Sequence, residues 1–297
     1  MATGKKLIVI AGPTASGKTA VAIELAKHLD TEIISADSRQ CYKELNIGVA
    51  RPSPVELATV NHHFIASHSI HEKVDVAVFE QYALEKAAAI FSRRPVAVVV
   101  GGTGLYIKAL CEGIDDMPPI PEAVKAHVSA SYKRHGLQWL QQEVERLDPD
   151  FFSGAEIFNP HRLMRALELR LASGKSVLEL RQGKKAKRDF EVIKLALDLP
   201  RPELKERINK RVDQMVAAGL VEEAKHLVPF RHLNALQTVG YKELFSYFDG
   251  LLGLEEAVEQ IKTNTRQYAK RQLTWFRKDE AFEWVNPQQV KQRFGFA

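Results

Sequence analysis

The stretch Ala11-Gly-Pro-Thr-Ala-Ser-Gly-Lys-Thr19 follows the apolar run Leu7-Ile-Val-Ile10 and precedes residues 20–29, whose composition is typical of a helix. Residues 12–19 fit the pattern G-x-x-x-x-G-K-T, a strand-loop-helix cradle in which backbone N–H groups and a helix N-terminus face a phosphate. The sequence therefore predicts a phosphate loop made of Gly12, Pro13, Thr14, Ala15, Ser16, Gly17, Lys18 and Thr19.

Two side chains of the phosphate loop have expected roles of their own. Lys18 adds a positive charge, and the Thr19 hydroxyl is expected to be a ligand of Mg²⁺. The motif is typical of ATP-binding proteins, but such a loop requires only a diphosphate. The loop alone therefore leaves the nature of the diphosphate open.

The order of apolar runs along the chain predicts the fold. β-rich runs at residues 7–11, 32–36 and 96–100 alternate with helical patterns at 18–29 and 77–92. Strands separated by helices indicate a parallel sheet. We therefore predict an α/β fold of the P-loop NTPase type, with a parallel sheet flanked by helices.

The second half of the chain is mainly helical. After a turn-rich junction at residues 115–121, no good strand occurs until residues 192–197. The expected domains are a first part of the P-loop core at 1–118, a helical insertion domain at 119–190, and a second part of the core at 191–297. The helical C-terminal region includes one long helix with a basic face at residues 254–278.

Composition limits the class of protein. The chain has 297 residues, 45% of them hydrophobic and 27% charged, which suits one large core and a smaller one. A net charge of +5 suits a polyanionic partner. Two cysteines are too few for a disulfide framework, so we expect a cytoplasmic protein. The uncharged residues 95–107 are too few to span a bilayer, and no membrane partner is expected.

Polar residues follow the predicted strand at residues 32–36. Because the carboxyl end of a strand beside a phosphate loop opens onto the ligand crevice, Asp37 is a candidate general base. The alternative for the Asp37-Ser38 pair is an Asx-turn or a helix N-cap.

The strand at residues 96–100 ends in Gly101-Gly-Thr-Gly-Leu-Tyr106. Thr103 offers a hydroxyl beside the same crevice, unless the glycines merely turn the chain. ATP-hydrolysing proteins with this loop commonly hold their metal with an acidic residue at such a strand end. None stands here, which weakens the case for an ATP-driven motor but leaves a small-molecule kinase open.

Basic residues are concentrated in three helical segments. Residues 263–278 interleave five Arg and Lys side chains with Tyr268, Trp275 and Phe276, a pattern that suits RNA binding or a solvated basic helix face. Arg162 and Arg165 share a helical face and could grip phosphates or pair with acids. Arg207 and Arg211 lie four residues apart, for which exposed ion pairing is the default.

Together these segments resemble the tRNA dimethylallyltransferases. The resemblance covers nearly the whole chain, through the motifs GPTASGKT at 12–19, DSRQCYKELNIG at 37–48, GGTGLY at 101–106, NPHRLMRALE at 159–168, QTVGYKE at 237–243 and TRQYAKRQLTWFR at 265–277. It implies that the phosphate loop holds dimethylallyl diphosphate, and that the allylic group passes to the exocyclic amine of the adenosine 3′ to the anticodon. The implied cofactor is Mg²⁺, and the implied partner is the anticodon stem-loop of tRNA.

The resemblance also implies roles for individual residues. Asp37 matches the base, Thr103 a hydroxyl near the target amine, and Arg211, chosen over Arg207, the arginine that approaches the diphosphate. The implied tRNA contacts are Asp37, Ser38, Arg39, Gln40, Thr103, Lys125, His161, Arg162, Leu163, Met164, Arg165, Gln237, Gly240, Tyr241, Lys242, Arg266, Lys270 and Arg271.

The chain departs from the family pattern at two places. Val49 stands where the family usually has threonine, and Ala66 stands where it has an acid, so the shape of the crevice is left open. The rival functions are an ATP-dependent small-molecule or nucleoside kinase, and a non-catalytic RNA-binding protein with a nucleotide switch. The strand-end Asp37 counts against the switch, and the aromatic-basic segment counts against the kinase. We expect a monomer.

Overall fold

A computed structural model describes residues 4–183 and 185–296. Within them the chain forms six β-strands, β1 (Lys6–Ala11), β2 (Ile33–Ala36), β3 (His62–His63), β4 (Val96–Gly101), β5 (Glu191–Leu197) and β6 (Phe282–Val285). The α-helices of this part are α1 (Lys18–His28), α2 (Pro54–Thr59), α3 (Val76–Phe91), α4 (Gly104–Glu112), α5 (Glu122–Leu147), α6 (Pro149–Gly154), α7 (Pro160–Ser173), α8 (Val177–Leu180), α9 (Arg201–Ala217), α10 (Leu220–Leu227), α11 (Tyr241–Phe248), α12 (Leu254–Arg277) and α13 (Pro287–Phe294). Short 3₁₀ helices cover Val228–Phe230 and Asn234–Leu236.

The strands form one parallel sheet in the order β3-β2-β4-β1-β5-β6. β1 lies inside the sheet, where its last residue, Ala11, is opposite Gly101 of β4 and Ala196 of β5. Successive residues of β1 point to opposite faces, so Leu7 packs into the core on one face and Ile8 into the core on the other. Helices cover both faces, as parallel sheets require. The predicted parallel sheet flanked by helices is confirmed.

The strand order positions the functional residues. β2, β4 and β1 are neighbours in the sheet. β2 is followed by Asp37, β4 by the segment that contains Thr103, and β1 by the phosphate loop. Since all three strands run in the same direction, these three segments meet at one edge of the sheet.

Two strands of the sheet were not among the sequence predictions. β3 is the pair His62–His63, which extends the sheet beside β2, and His63 Nε2 lies 2.7 Å from Glu32 Oε2. β6 follows the long C-terminal helix and pairs with β5. Both strands are short, and the strand character of His62–His63 depends on the neighbouring β2 rather than on apolar alternation.

The helix α12 shows why the C-terminal segment is one continuous helix. Glu255 and Glu256 lie in its first turn and Arg277 in its last, charges that complement the helix dipole. Its buried residues include Ala257, Ile261, Ala269, Gln272 and Phe276, which mark the face that packs on the sheet domain.

The described chain divides into two compact units, Met1–Glu112 with Lys187–Ala297, and Gly113–Ala186. The second unit contains α5 to α8 and has its own apolar core, which includes Val128, Leu140, Val144, Leu163 and Leu167. The long α5 is interrupted at Gly136, whose φ of 75° is left-handed. The sequence predicted the insertion at residues 119–190.

No helix in the described ranges, residues 4–183 and 185–296, is both long and apolar enough to cross a membrane.

Candidate active site

A cavity of about 660 Å³ lies in the first unit at the carboxyl edge of the sheet. Its walls come from the phosphate loop, the end of β2, the segment after Ile47, and the helices α9, α11 and α12. Of the residues predicted to form a site, those lining the cavity are Thr14, Lys18, Thr19, Asp37, Ser38, Arg39, Gln40, Arg211, Gln237, Gly240, Lys242 and Arg271. The structure therefore brings together residues that are up to 257 positions apart between Thr14 and Arg271.

The phosphate loop leaves the N-terminus of α1 open to an anion. The residue before α1 is Gly17, with a left-handed φ of 85°, and no side chain in the described part of the protein caps this helix. The N–H groups of the first turn of a helix have no partner within the helix, and the helix dipole places partial positive charge there. Their arrangement suits a phosphate group.

Two cations border this helix terminus. The Lys18 ammonium donates a hydrogen bond to the Pro13 carbonyl at 3.2 Å, and Arg211 Nη1 lies 3.4 Å from Thr14 Oγ1. Removal of the ammonium from water, together with the nearby Arg211 charge, lowers the pKa of Lys18 to about 8, although Asp37 opposes the shift. Burial likewise lowers the pKa of Arg211. A bound diphosphate would offset the cost of holding both charges there.

Arg207, the alternative to Arg211 in the sequence, is placed differently. It forms an ion pair with Glu203 at 2.7 Å, one helical turn away on α9, and both side chains are more than 40% exposed. Arg207 is not among the cavity-lining residues, whereas Arg211 is. Both arginines border the phosphate loop, since a Cβ atom on Gly17 would lie 3.6 Å from Arg207 Nη1, but only Arg211 faces the cavity.

Asp37 uses one carboxylate oxygen for the local backbone. Asp37 Oδ1 accepts hydrogen bonds from the N–H groups of Arg39 at 2.8 Å and Gln40 at 3.2 Å, which is the Asx-turn alternative raised by the sequence. Asp37 Oδ2 accepts no hydrogen bond from the described residues, and the side chain lines the cavity. The turn therefore orients the carboxylate and leaves one oxygen for a ligand.

Thr103 joins the ends of β2 and β4. Its Oγ1 accepts a hydrogen bond from the Ser38 N–H at 3.1 Å and lies 3.4 Å from Ser38 Oγ. Arg39 Nη1 donates to the carbonyls of Asn234 and Ala235, and Gln40 Nε2 donates to those of Val49 and Ala50. In this structure these side chains shape the crevice through bonds within the protein.

The remaining predicted tRNA contacts in the first unit differ in exposure. Gln237, Lys242, Lys270 and Arg271 are exposed, whereas Arg266 is engaged with Asn209 Oδ1 at 2.7 Å and Thr263 Oγ1 at 2.8 Å.

Tyr241 is fully buried, and its hydroxyl donates to Glu223 Oε1 at 2.7 Å. The other oxygen of Glu223 accepts the N–H of Ile47 at 2.8 Å, so the tyrosine helps to hold the segment that lines the cavity. The structure argues against a direct tRNA contact from the Tyr241 side chain.

The predicted contacts of the second unit lie mainly on α7. His161, Arg162 and Arg165 are exposed on this helix, and Lys125 on α5 pairs with Glu122 at 2.8 Å. Leu163, however, is fully buried in the core of this unit, because its position on α7 faces α5. A side-chain contact from Leu163 is therefore corrected to a packing role, and the half-buried Met164 also packs against this core.

Sequence reasoning missed the apolar wall of the cavity. It is formed by Val49, Val212, Met215, Leu220, Val239 and Ile261, from five separate segments. Each of these residues is indistinguishable from a core residue in the sequence, and only the tertiary structure places them around one space. Val49, the departure from the family's threonine, adds to this apolar surface.

Fold and site together define a protein of the P-loop α/β class in which a cationic phosphate cradle opens into a cavity with an apolar wall. The sequence model of the IPP transferase family matches residues 40–279. The chain therefore belongs to the IPP transferase family.

Known proteins similar to this chain carry consistent names. A tRNA dimethylallyltransferase of Christiangramia forsetii is 50% identical over 278 residues, which cover 94% of this chain and 92% of the relative. A solved full-length tRNA isopentenylpyrophosphate transferase from Bacillus halodurans is 35% identical, with a TM-score of 0.71, and 98% of this chain and 95% of that one are covered. A eukaryotic dimethylallyltransferase solved while acting on tRNA is 25% identical, with a TM-score of 0.76, covering 97% of this chain and 75% of that one.

The low pKa of Lys18 predicts a pH-dependent affinity for diphosphates. Lys18 is protonated below about pH 8 and neutral above it. Because a diphosphate favours the protonated form, the affinity of the free protein for dimethylallyl diphosphate should fall by at most about tenfold per unit as pH rises above 8. Calorimetric titration at constant magnesium from pH 7 to 9 measures this fall. The Lys18→Met variant should bind dimethylallyl diphosphate weakly and show no such fall with pH. An affinity of the unaltered protein that does not change with pH would contradict the assignment of Lys18 to diphosphate binding.

Proposed function

We propose that the protein transfers a dimethylallyl group from dimethylallyl diphosphate to the exocyclic amine of the adenosine 3′ to the anticodon of tRNA, releasing diphosphate. The observation that carries this proposal is a single cavity that joins a cationic phosphate cradle, an apolar wall and a strand-end carboxylate. The names of the relatives support it.

The diphosphate half of the reaction depends on positive charge. As the allylic carbon–oxygen bond breaks, negative charge grows on the leaving diphosphate. Lys18, Arg211 and the N–H groups at the start of α1 already lie where that charge would develop, so little reorganisation is needed.

The residues of the loop fit a magnesium ion bound together with a diphosphate. The Thr19 hydroxyl lines the cavity and has no hydrogen-bond partner in the described part of the chain. No group of three acidic, histidine or cysteine side chains able to hold a metal occurs in the described residues. Magnesium commonly keeps several waters and binds through substrate phosphates and one or two protein oxygens, so Thr19 with the diphosphate would suffice. When bound, the ion would neutralise charge on the leaving group.

The nucleophile half of the reaction depends on Asp37. An adenine amine is a weak nucleophile, and the oxygen Asp37 Oδ2 is available to orient it and accept its proton. The Asx-turn holds the carboxylate through Oδ1, so Oδ2 is presented with a fixed orientation. General-base catalysis of this kind contributes roughly a hundred- to ten-thousand-fold in rate. Thr103 orients the same segment through Ser38.

The apolar wall suits the prenyl chain. Val212 and Met215 on α9 follow Arg211 on the same helix, so the apolar wall begins beside the arginine that lines the cavity. A dimethylallyl group has no polar atom to satisfy, and an apolar surface around it would exclude water that could hydrolyse the reactive allylic centre.

Recognition of tRNA requires the target base to leave its stack. Base extrusion costs a few kcal/mol, which contacts to the RNA backbone would offset. Lys270 and Arg271 on α12 are exposed beside the cavity. His161, Arg162 and Arg165 are exposed on α7, where Arg162 pairs with Glu156 at 3.1 Å and Arg165 lies 4.0 Å from Glu168, so these arginines would exchange acidic partners for RNA phosphates. Basic side chains of this kind bind phosphates without reading sequence. We propose that each of these two surfaces, considered by itself, contacts tRNA, and we propose a monomer that acts in the cytoplasm.

The kinase alternative is weaker. β4 ends in glycines without a carboxylate, and the relatives of this chain are named as transferases rather than kinases.

The proposed reaction predicts prenyl incorporation without ATP. Unmodified tRNA, magnesium and labelled dimethylallyl diphosphate should suffice, and inorganic pyrophosphate should compete with the prenyl substrate because it reproduces the leaving group. ATP can occupy the loop weakly without being consumed. Incorporation and phosphate release are measured with and without ATP. Strict dependence on ATP, or phosphoryl transfer at a comparable rate, would restore the kinase.

The two halves of the site predict two different failures. Lys18→Ala should lose turnover and also weaken binding of dimethylallyl diphosphate, because the ammonium faces the leaving group. Asp37→Asn should lose about a hundredfold or more in turnover yet keep prenyl diphosphate affinity, since the amide oxygen can still accept the Arg39 N–H. Single-turnover rates and equilibrium titrations separate these effects. Equal losses of diphosphate affinity in both variants would refute the assigned roles.

The exposed cations of α12 predict a salt-dependent affinity for tRNA. The double variant Lys270→Ala, Arg271→Ala should reduce the slope of log affinity against log salt by about one for each RNA phosphate that the helix no longer binds. Filter binding at several salt concentrations measures the slope. Lys27→Ala is the matched control, because this exposed lysine lies in the last turn of α1, at the opposite edge of the sheet. A slope unchanged in the double variant would mean that this helix face is only solvated.

A further inference from the structure

One buried polar side chain in the site has no role in the reaction described above. Gln272 on α12 is only 6% exposed, and its amide makes two hydrogen bonds. Oε1 accepts the N–H of Thr14 in the phosphate loop at 2.8 Å, and Nε2 donates to the carbonyl of Gly102, after β4, at 2.9 Å. The two bonds require opposite ends of the amide, so the side chain has a single orientation that satisfies both.

The segment after β4 is shaped to admit this amide. A Cβ atom on Gly102 would lie 2.1 Å from Gln272 Nε2, a distance no real contact allows. A glycine at position 102 therefore lets α12 approach the end of β4 closely enough for its glutamine to reach the phosphate loop.

A second contact ties the phosphate loop to the same helix. Ala15 has a left-handed φ of 63°, a conformation that costs a non-glycine residue of order 1–3 kcal/mol unless its surroundings enforce it. Its methyl group packs in a small apolar cluster with Ile208 of α9 and Ala269 of α12. The strained residue thus packs against a cluster shared by α9 and α12, and the Thr14 N–H is held by Gln272 of α12.

The Gln272 bond also decides which loop N–H groups face a ligand. The Thr14 N–H is occupied by Gln272 and the Ser16 N–H donates to the Pro13 carbonyl at 3.3 Å, so the loop groups left for an anion are those of Ala15, Gly17 and the start of α1. A phosphate loop without that bond would have an additional unsatisfied donor and one less restraint on its shape.

We propose that Gln272 is a positioning residue that holds the phosphate loop in its diphosphate-binding conformation. It acts through Thr14 and does not itself supply the binding charge. The inference rests on the proposed function only in naming the ligand, since the loop geometry concerns any diphosphate. The same helix carries Tyr268 and Arg271 into the cavity, so the surface proposed to bind tRNA and the restraint on the phosphate loop belong to one rigid element.

The test compares inorganic pyrophosphate binding and amide hydrogen exchange. Gln272→Met has a similar length but neither hydrogen bond, and it should bind pyrophosphate about tenfold more weakly, with rapid exchange of the Thr14 amide. Gln272→Glu keeps an acceptor for the Thr14 N–H and should retain slow exchange. Affinity for an anticodon stem-loop RNA should stay within about twofold in the methionine variant, because the exposed cations are untouched.

Thr274→Val is the matched control. Thr274 is exposed on the same helix and donates only to the Lys270 carbonyl of that helix, so its replacement should change neither pyrophosphate affinity nor Thr14 exchange. Unchanged pyrophosphate affinity in folded Gln272→Met would overturn the proposal, as would equal decreases in affinity for pyrophosphate and RNA, which would indicate general damage to the helix.

Two further results keep the outcomes separable. If Gln272→Met does not fold, hydrogen exchange of the Thr14 amide in the unaltered protein tests the proposal. A Thr14 amide that exchanges as fast as an exposed amide would contradict the proposed restraint by Gln272. If the unaltered protein binds pyrophosphate with a protected Thr14 amide but prenylates no tRNA, the proposed function fails while the positioning role stands.

Discussion

The phosphate loop concentrates positive charge where the protein offers little to neutralise it. Lys18 and Arg211 lie beside an uncapped helix terminus, and removal of the ammonium from water, together with the nearby Arg211 charge, lowers the pKa of Lys18. Asp37 offsets part of this charge. It follows β2, which is separated from β1 by one strand, β4. The site is therefore stabilised most by a ligand with at least two negative charges, and the rest of the cavity is organised around that requirement.

The parallel sheet makes this arrangement possible. Because β2, β4 and β1 are neighbours that run in one direction, Asp37, Thr103 and the phosphate loop meet at one edge of the sheet. Hydrogen bonds then hold the strand ends together, from Ser38 to Thr103 and within the Asx-turn of Asp37. The proposed catalytic role of Asp37 and its structural role would use different atoms, since Oδ1 maintains the turn and Oδ2 accepts no hydrogen bond from the described residues.

The helices α9 and α12 complete the site from outside the sheet. α9 supplies Arg211 and, within one further turn, the apolar residues Val212 and Met215, so it joins the polar and apolar ends of the cavity. α12 supplies exposed cations on one face and Gln272 on another. In the proposed function, different faces of the same helix would serve the diphosphate and the tRNA.

The structural features that depend on local sequence could be predicted, whereas the features that depend on residues distant in the chain were decided by tertiary packing. A glycine-rich loop between an apolar strand and a helix has few alternative structures, so residues 12–19, β1, β2, β4, β5 and the length of α12 followed from pattern alone. The position of Asp37 was predicted in the same way, because the carboxyl ends of parallel strands share an edge.

By contrast, β3 is a strand only because β2 pairs with it, and the apolar wall exists only because residues from five segments converge on one space. Leu163 and Tyr241 stand in motifs that suggested tRNA contact, yet both side chains are fully buried. Gln272 could not be singled out, because the significance of a glutamine lies in its partners, and those are 258 and 170 residues away in the chain.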